Sequence, residues 1–191
     1  MLHPPTDTQS VEAMNNLDLE EFWFPKYARY FVIKSFGADE IYQSIKHEVW
    51  CSIDYKIERL DSAFKAQTAT SCQGPIFLFF SVKGSGCFCG MAEMMSAVDY
   101  NNTGSSDRSS TDKFKGQIKV KWIYVKDVPN KQLKHIHLEN NKNMTIIKPG
   151  NIEEVPPEQG KMVLKIIHDF KSTTSLLEKS KKKSKSKKNK K

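Results

Sequence analysis

The chain of 191 residues lacks any apolar run that approaches the roughly 18 consecutive residues a membrane-spanning helix needs. Its N-terminus also lacks the basic-then-apolar pattern of a secretory signal. Only four cysteines are present, so we expect reduced thiols in an intracellular compartment. These absences argue against membrane and secreted classes. The length and the hydrophobic content of 38% instead favour one globular domain with polar appendages.

Patterns that carry catalysis or metal binding are also scarce. The Gly-x-Gly of residues 84–86 is too short for a phosphate loop and precedes a strand rather than a helix. The Cys-x-Cys of residues 87–89 has no second ligand pair, and the His-x-His of residues 135–137 has no companion cluster. A Cys–His pair assembled only by the fold stays open. We therefore expect no enzyme, no metal and no cofactor.

Positive charge is concentrated at the C-terminus. Residues 179–191 contain nine of the 30 basic residues and none of the 22 acidic residues, so the rest of the chain is near neutral. A neutral body argues against broad electrostatic coating of nucleic acid, and any RNA site in it must be local and shape-based. The lysine run is expected to be disordered. A nuclear-localisation signal, an RNA-phosphate arm and a solubilising terminus all fit it.

Several apolar segments predict the strands of a sheet. IFLFFSV at 76–82 is a near-continuous apolar run between turn signals, and CFCGMAEM at 87–94 is predicted to return as its hairpin partner. Further strands are predicted at 29–34, at 116–125 and near 144–147. Strands and helices interleave without βαβ regularity, which predicts a mixed, curved α/β sheet with helices packed around it.

Helical periodicity occurs in three places. A first helix is predicted to open at Gly37, with acidic residues in its first turn and with one apolar face formed by Ile41, Ile45 and Val49. A shorter helix is predicted from about Arg59 to Gln67. A third is predicted to begin at 156–158, with Pro in its first turn and an apolar face formed by Met162, Ile166 and Phe170.

Trp50 lies where the first helical pattern stops and a polar stretch begins. An indole at a helix-to-loop junction is well placed to stack on a flat ligand. The alternative is a core tryptophan that closes the end of the helix. The Asn/Gly/Ser-rich segment 96–112 is long enough for a binding loop or a disordered one.

Three ordered runs resemble a YTH domain, the reader module for N6-methyladenosine in RNA. They are RYFVIKSF…VWCS (29–52), FFSVKGSGCFCGMAEM (79–94) and KWIYVKDVPNKQLKHIHLENN (121–141). The resemblance spans roughly residues 28–178 and is nearest to the mostly cytoplasmic branch. It implies a YTH-like, barrel-like sheet of about six strands with flanking helices.

The resemblance also implies a site. Trp50 matches the first wall of the family's aromatic cage, Phe114 stands where the branch has a second tryptophan, and the Cys51 carbonyl would accept the N6–H of the base. It implies that three side chains contact or flank the adenine: Phe36, Glu40 and Lys83. It also implies that three lysines contact the RNA backbone: Lys34, Lys113 and Lys148.

The chain departs from the family pattern at three positions. Ser109 stands where the branch has another cage tryptophan, which would leave the cage one wall short. An arginine that touches phosphate in relatives aligns near Gly150, with Lys148 the nearby basic substitute. Glu40 replaces a shorter Asp or Asn.

The sequence thus predicts a flexible lead-in (1–27), a YTH-like RNA-binding domain (28–178) and a disordered lysine-rich tail (179–191). The predicted protein is a monomeric reader of N6-methyladenosine in single-stranded mRNA, acting in the cytoplasm or, given its tail, in the nucleus. RNA binding without methyl preference and a protein-interaction scaffold are the alternatives. Effector partners, RNA context and the fate of the bound RNA stay open.

Overall fold

The computed structural model describes residue 25 and residues 27–53, 55–71, 73–101, 115–148 and 150–178. Most of the predicted lead-in, the greater part of the 96–112 segment and the lysine tail lie outside these described residues. So do three residues with predicted site roles, namely Ser109, Lys113 and Phe114.

The described chain builds one large sheet and a small ribbon. The eight strands are β1 (Arg29–Ser35), β2 (Val49–Ser52), β3 (Ile76–Val82), β4 (Cys87–Met94), β5 (Gly116–Pro129), β6 (His137–Leu138), β7 (Met144–Thr145) and β8 (Ile152–Val155). Six of them form the sheet, in the order β2-β5-β4-β3-β1-β8, and β6 pairs with β7. Only the β1–β3 pairing is parallel among these ladders. The predicted mixed sheet of about six strands is confirmed.

Three α-helices pack around the sheet: α1 (Ala38–His47), α2 (Ile57–Ala69) and α3 (Pro157–Asp169). A short 3₁₀ turn follows β5 at Asn130–Gln132. All three helices begin close to the positions that the sequence predicts. The β3–β4 hairpin turns through Gly84 and Gly86, whose φ angles of 75° and 72° favour glycine.

Both faces of the sheet are buried, and this explains the continuous apolar run of β3. Phe31 and Ile33 of β1 point to the hydrophobic cluster that also contains apolar residues of α1 and α2. Tyr30 and Val32 point to the opposite cluster, which contains apolar residues of α3 and of the segment around the ribbon. Alternate residues of a strand face opposite sides, so a strand covered on both sides has no position that faces solvent.

The junction at Trp50 differs from the prediction. Helix α1 ends at His47, and Glu48 follows in the left-handed conformation with φ 55°, which reverses the chain direction. Val49 and Trp50 then enter strand β2 rather than a loop. The predicted helical face was therefore wrong at Val49, although Ile41 and Ile45 are buried as expected.

The buried face of α3 also differs from the prediction. Its buried residues are Gly160, Val163, Leu164 and Ile167, whereas Met162 is 45% exposed. The i, i+4 spacing of Met162, Ile166 and Phe170 predicted a helical face that lies about one position away from the face that meets the sheet. Gly160 lies on the buried face but has no apolar side chain, so the hydrophobic pattern does not include it.

Helices long and apolar enough to cross a membrane do not occur among the residues described.

Candidate functional site

A narrow cleft lies at the C-terminal end of β1. Its described lining comes from β1 and the turn after it, from α1, from β2 and the residue after it, and from the start of β8: Ile33, Lys34, Phe36, Glu40, Trp50, Cys51, Ser52, Ile53, Asn151 and Ile152. Strands β2 and β8 are the two edges of the sheet. One cleft takes residues from both edges because the sheet curls.

The free space within the cleft is about 20 Å³, which is room for about one water molecule. A planar heterocycle therefore enters only if side chains at the mouth move. Phe36 is 52% exposed and is one cleft side chain that can do so.

Trp50 belongs to the core and to the cleft at the same time. It is 4% exposed, and its ring meets Phe80 edge-on, with 5.2 Å between centroids and 69° between planes. The indole Nε1–H is buried and has no hydrogen-bond acceptor within the described part of the chain. An unpaired buried donor costs about 1–3 kcal/mol.

Cys51 presents its backbone to the open edge of the sheet. The Val120 N–H donates to the Glu48 carbonyl at 2.9 Å, and the Lys115 N–H donates to the Ser52 carbonyl at 2.6 Å. Hydrogen-bonded and non-hydrogen-bonded pairs alternate along an antiparallel ladder. Trp50 and Ser52 thus direct their backbone groups toward β5, and Cys51 directs its own away from β5. This is the orientation that a backbone acceptor for a ligand requires.

The Cys51 thiol is not activated. Burial raises its pKa, and its Sγ lies 3.8 Å from Gln117 Oε1. A raised pKa keeps the thiol protonated at neutral pH, and the nucleophile is the thiolate.

Glu40 braces the turn between β1 and α1. Its Oε2 accepts hydrogen bonds from Ser35 Oγ at 2.5 Å and from the Phe36 N–H at 3.2 Å. The carboxylate is therefore held at the edge of the cleft by the turn itself. Only Oε1 is left outside these two bonds.

Two lysines lie near the mouth of the cleft. Lys34 donates to the backbone carbonyl of Ile147. Burial lowers its pKa, and the nearby charge of Lys83 lowers it further. The Lys83 ammonium lies 3.7 Å from the centroid of the Phe36 ring, a cation–π contact. Phe36, Lys83 and Lys34 thus form one connected group.

Lys148 is exposed and does not line the cleft. Sequence reasoning missed Lys56, whose ammonium lies close to Gly150. A Cβ added at this glycine would be 2.8 Å from Lys56 Nζ. It also missed Asn151 and Ile152, since the short edge strand β8 has no apolar alternation long enough to predict it.

A larger cavity of about 530 Å³ lies elsewhere, between α2 and the adjoining ends of β3 and β4. None of the predicted site residues is among its described lining. The smaller cleft is the better site, because it combines an aromatic wall, an outward-facing backbone acceptor and flanking cations.

The cleft has the chemistry of a binding site. Groups of three or more His, Cys, Asp or Glu side chains able to hold a metal do not occur among the described residues. A ring wall beside a backbone acceptor suits a flat, uncharged heteroaromatic group that carries an N–H donor. The flanking lysines suit an anionic extension of that group.

The family model described as YTH, YT521-B-like domain, matches residues 28–168. Human YTH domain-containing family protein 2 is 47% identical over 171 residues, which cover 89% of this chain and 29% of that protein. Human YTH domain-containing family protein 3 is 47% identical over 178 residues, which cover 93% of this chain and 29% of that protein. The chain thus spans less than a third of the length of these curated relatives.

Solved structures agree with the sequence match. The YTH domain of the Zygosaccharomyces rouxii MRB1 protein, in complex with N6-methyladenosine RNA, has 31% identity and a TM-score of 0.66, with 79% of this chain and 95% of that chain covered. The Pho92 YTH domain in complex with m6A has 28% identity and a TM-score of 0.69, with 78% and 91% covered. The chain belongs to the YTH domain family.

Proposed function

We propose that this chain is a single-stranded RNA reader that holds one N6-methyladenosine base in the cleft against Trp50. The observation that carries the proposal is the Trp50 indole, which walls the cleft beside the outward-facing backbone of Cys51. Two family members were solved as complexes with N6-methyladenosine or with RNA that carries it.

The proposed contacts are those that the family resemblance implies, and the positions of the described residues support them. The base stacks on Trp50, and its N6–H donates to the Cys51 carbonyl, which faces the open edge of β2. Phe36, Glu40 and Lys83 flank the adenine at the mouth, and Lys34 contacts the RNA backbone. Phe114 as a second wall, with Lys113 and Lys148 as backbone contacts, stays a prediction from the sequence.

Methyl discrimination depends on enclosure. Burying one methyl group contributes about 0.8 kcal/mol, or roughly fourfold in affinity. Stacking contributes about 1–3 kcal/mol per base, but methylated and unmethylated adenine share most of it. The narrow cleft of about 20 Å³ must widen to admit the base. How completely the cleft then closes around the base sets the preference for methylated over unmethylated adenine.

The test compares two short RNAs that differ only in one N6-methyl group, titrated against a chain ending at Glu178. We expect tighter binding of the methylated RNA, by at least the fourfold that one buried methyl provides. Equal affinities would leave RNA binding without methyl preference. Absence of binding to both would favour a protein-interaction scaffold.

A gain-of-function variant sharpens the test. Ser109→Trp restores the residue type that the related branch has at this position. We expect it to raise the affinity for RNA by about one stacking contribution of 1–3 kcal/mol. The methyl preference should rise by a smaller amount, because the two forms of adenine share most of the stacking energy. Ser109→Ala is the control, since it changes the residue without adding a ring and should behave like the unsubstituted chain.

We propose no catalytic role. The Cys51 thiol has a raised pKa, and the contacts described above position a ligand without supplying a paired nucleophile and base. We also propose that the chain acts in the cytoplasm, in line with its resemblance to the cytoplasmic branch. The location of the full chain in cells, compared with a chain that ends at Glu178, tests whether the lysine tail adds a nuclear pool.

A further inference from the structure

Tyr55 is the most exposed large hydrophobic side chain in the described part of the chain, at 68%. It lies in the loop between β2 and α2, two residues after Ile53, which lines the cleft. Two residues of chain span at most about 7 Å. The backbone of Tyr55 therefore lies near the cleft. A single exposed aromatic residue is common at protein surfaces, but the neighbours of Tyr55 distinguish it from such a residue.

Lys115 covers one face of this ring. Its ammonium lies 4.4 Å from the centroid of Tyr55, and its backbone N–H donates to the Ser52 carbonyl at 2.6 Å. Ser52 lines the cleft. The lysine is thus anchored to the cleft wall and holds the ring from one side, and the high exposure of Tyr55 leaves the opposite face to solvent.

A second cation lies near the cleft. Lys56 follows Tyr55 in the chain, and its ammonium reaches Gly150, whose next residue, Asn151, lines the cleft. Phe36, which also lines the cleft, and Lys83 form a similar pair of exposed ring and lysine.

We propose that Tyr55, held by Lys115, is a second stacking platform that binds the base of the nucleotide next to the one in the cleft, and that Lys56 contacts the intervening phosphate. The proposal rests on the function proposed above and adds a subsite to it. Sequence-tolerant single-strand sites combine aromatic stacking faces with a cationic path for the backbone in this way.

The experiment uses two ligands that differ in length: N6-methyladenosine as the free nucleoside, and a pentanucleotide with the same base at its centre. Tyr55→Ala should weaken pentanucleotide binding about tenfold, in line with the loss of one stacked base. The same variant should leave nucleoside binding, measured by NMR titration, unchanged. Tyr55→Phe keeps the ring and should bind both ligands as the unsubstituted chain does.

Tyr27→Ala is the matched control. Tyr27 is 48% exposed, but it precedes β1, whereas the cleft lies at the other end of that seven-residue strand, about 23 Å away. It should bind both ligands normally. Lys56→Gln should lower the salt dependence of pentanucleotide binding, which Tyr55→Ala should leave in place.

The outcomes separate the two proposals. Unchanged pentanucleotide binding by Tyr55→Ala would overturn the platform and leave the reader function intact. An equal loss for nucleoside and pentanucleotide would also overturn it, since the variant would then have disturbed the cleft itself. If the unsubstituted chain lacks methyl preference but Tyr55→Ala still weakens an unmethylated pentanucleotide, the platform stands and the reader function fails. Failure of the unsubstituted chain to bind RNA would overturn both.

Discussion

At the scale of the residue, Trp50 lies on the boundary between the hydrophobic core and the cleft, and both environments act on it. The core holds the indole edge-on against Phe80. The indole also lines the narrow cleft, and its buried N–H lacks an acceptor among the described residues. Rigid placement lowers the entropy cost of binding. A substitution at this position therefore changes stability and recognition together.

A matched pair of tryptophan variants separates the two effects. Trp122 is also buried, at 5% exposed, and also packs on Phe80, with 4.6 Å between centroids, but it does not line the cleft. We expect Trp50→Ala and Trp122→Ala each to lower the free energy of unfolding by about 3–5 kcal/mol. Only Trp50→Ala should abolish methyl preference.

Urea unfolding and RNA titration, at a temperature where both variants are folded by circular dichroism, measure these quantities. The loss of preference in both variants would mean that core packing in general, rather than the Trp50 wall, controls recognition.

At the scale of the element, Lys126 joins β5 to the end of α3. The side chain is 6% exposed, and its ammonium donates to the carbonyls of His168 at 2.8 Å and of Phe170 at 3.0 Å. It thereby satisfies carbonyls that the helix end leaves without partners. Burial, and then the charge of Lys171, lowers the pKa of Lys126 to about 8, against the opposing charge of Asp169.

This lowered pKa predicts a pH dependence. Between the folded pKa of about 8 and the ordinary value of 10.5, the unfolded chain binds a proton that the folded chain has released. Lys126 therefore raises the free energy of unfolding as pH rises through that window. This contribution is absent below about pH 8.

Urea unfolding of the chain and of Lys126→Met, at neutral pH and near pH 9.5, measures the effect. The stability of the lysine form relative to the methionine form should rise with pH. A constant difference would contradict the lowered pKa. Other groups that titrate in this range are common to both proteins and cancel in the difference.

Gly160 sets how closely α3 approaches the sheet. A Cβ at this position would lie 2.2 Å from Cγ of Tyr30, whose ring is itself packed against Phe77 and Phe79. Neither the helix nor the ring can move without disturbing its neighbours. Gly160→Ala should therefore lower the free energy of unfolding by about 1–3 kcal/mol, despite the better helix propensity of alanine.

Thermal unfolding measures this change. Gly37→Ala is the control, because its φ of −143° suits any residue and an added Cβ meets nothing within 4 Å. A similar loss in both variants would show that the loss of glycine, and not the contact with Tyr30, is responsible.

At the scale of the whole molecule, the cleft and the lysine-rich segment lie in different parts of the chain. The cleft has local cations, while residues 179–191 hold nine lysines and no acidic residue. We propose that this tail adds affinity for RNA phosphate without regard to sequence. Each lysine–phosphate contact to a single strand should add about −0.7 to the slope of log K against log salt.

The measurement compares the full chain with one that ends at Glu178, over a range of salt concentrations. The full chain should bind RNA more tightly at low salt, should lose affinity more steeply as salt rises, and should keep the methyl preference of the shorter one. Equal slopes would show that the tail is not an RNA arm.

The sequence predicts best those elements whose hydrophobic pattern is long enough to show how they are buried. β3 and β4 match the predicted segments because their apolar runs are long and bounded by turn residues. Strands β2 and β8 have only four residues each, which is too short for periodicity to identify them. Both line the cleft. The part of the site that patterns could not predict therefore comes from short edge strands. Family resemblance alone assigned a role to Cys51, and it turned the stacking role that the position of Trp50 suggested into a specific one.

The sequence by itself determined the mixed α/β class, the buried central hairpin, the basic C-terminal segment and the YTH resemblance, because local hydrophobicity, charge and residue order carry each of these. Only the tertiary structure decided that Trp50 is both core and cleft wall, that the Cys51 backbone faces the open edge, and that Lys115 lies over the exposed Tyr55 ring. These depend on the curl of the sheet and the register of β2 on β5. Both arise from contacts between residues far apart in the chain.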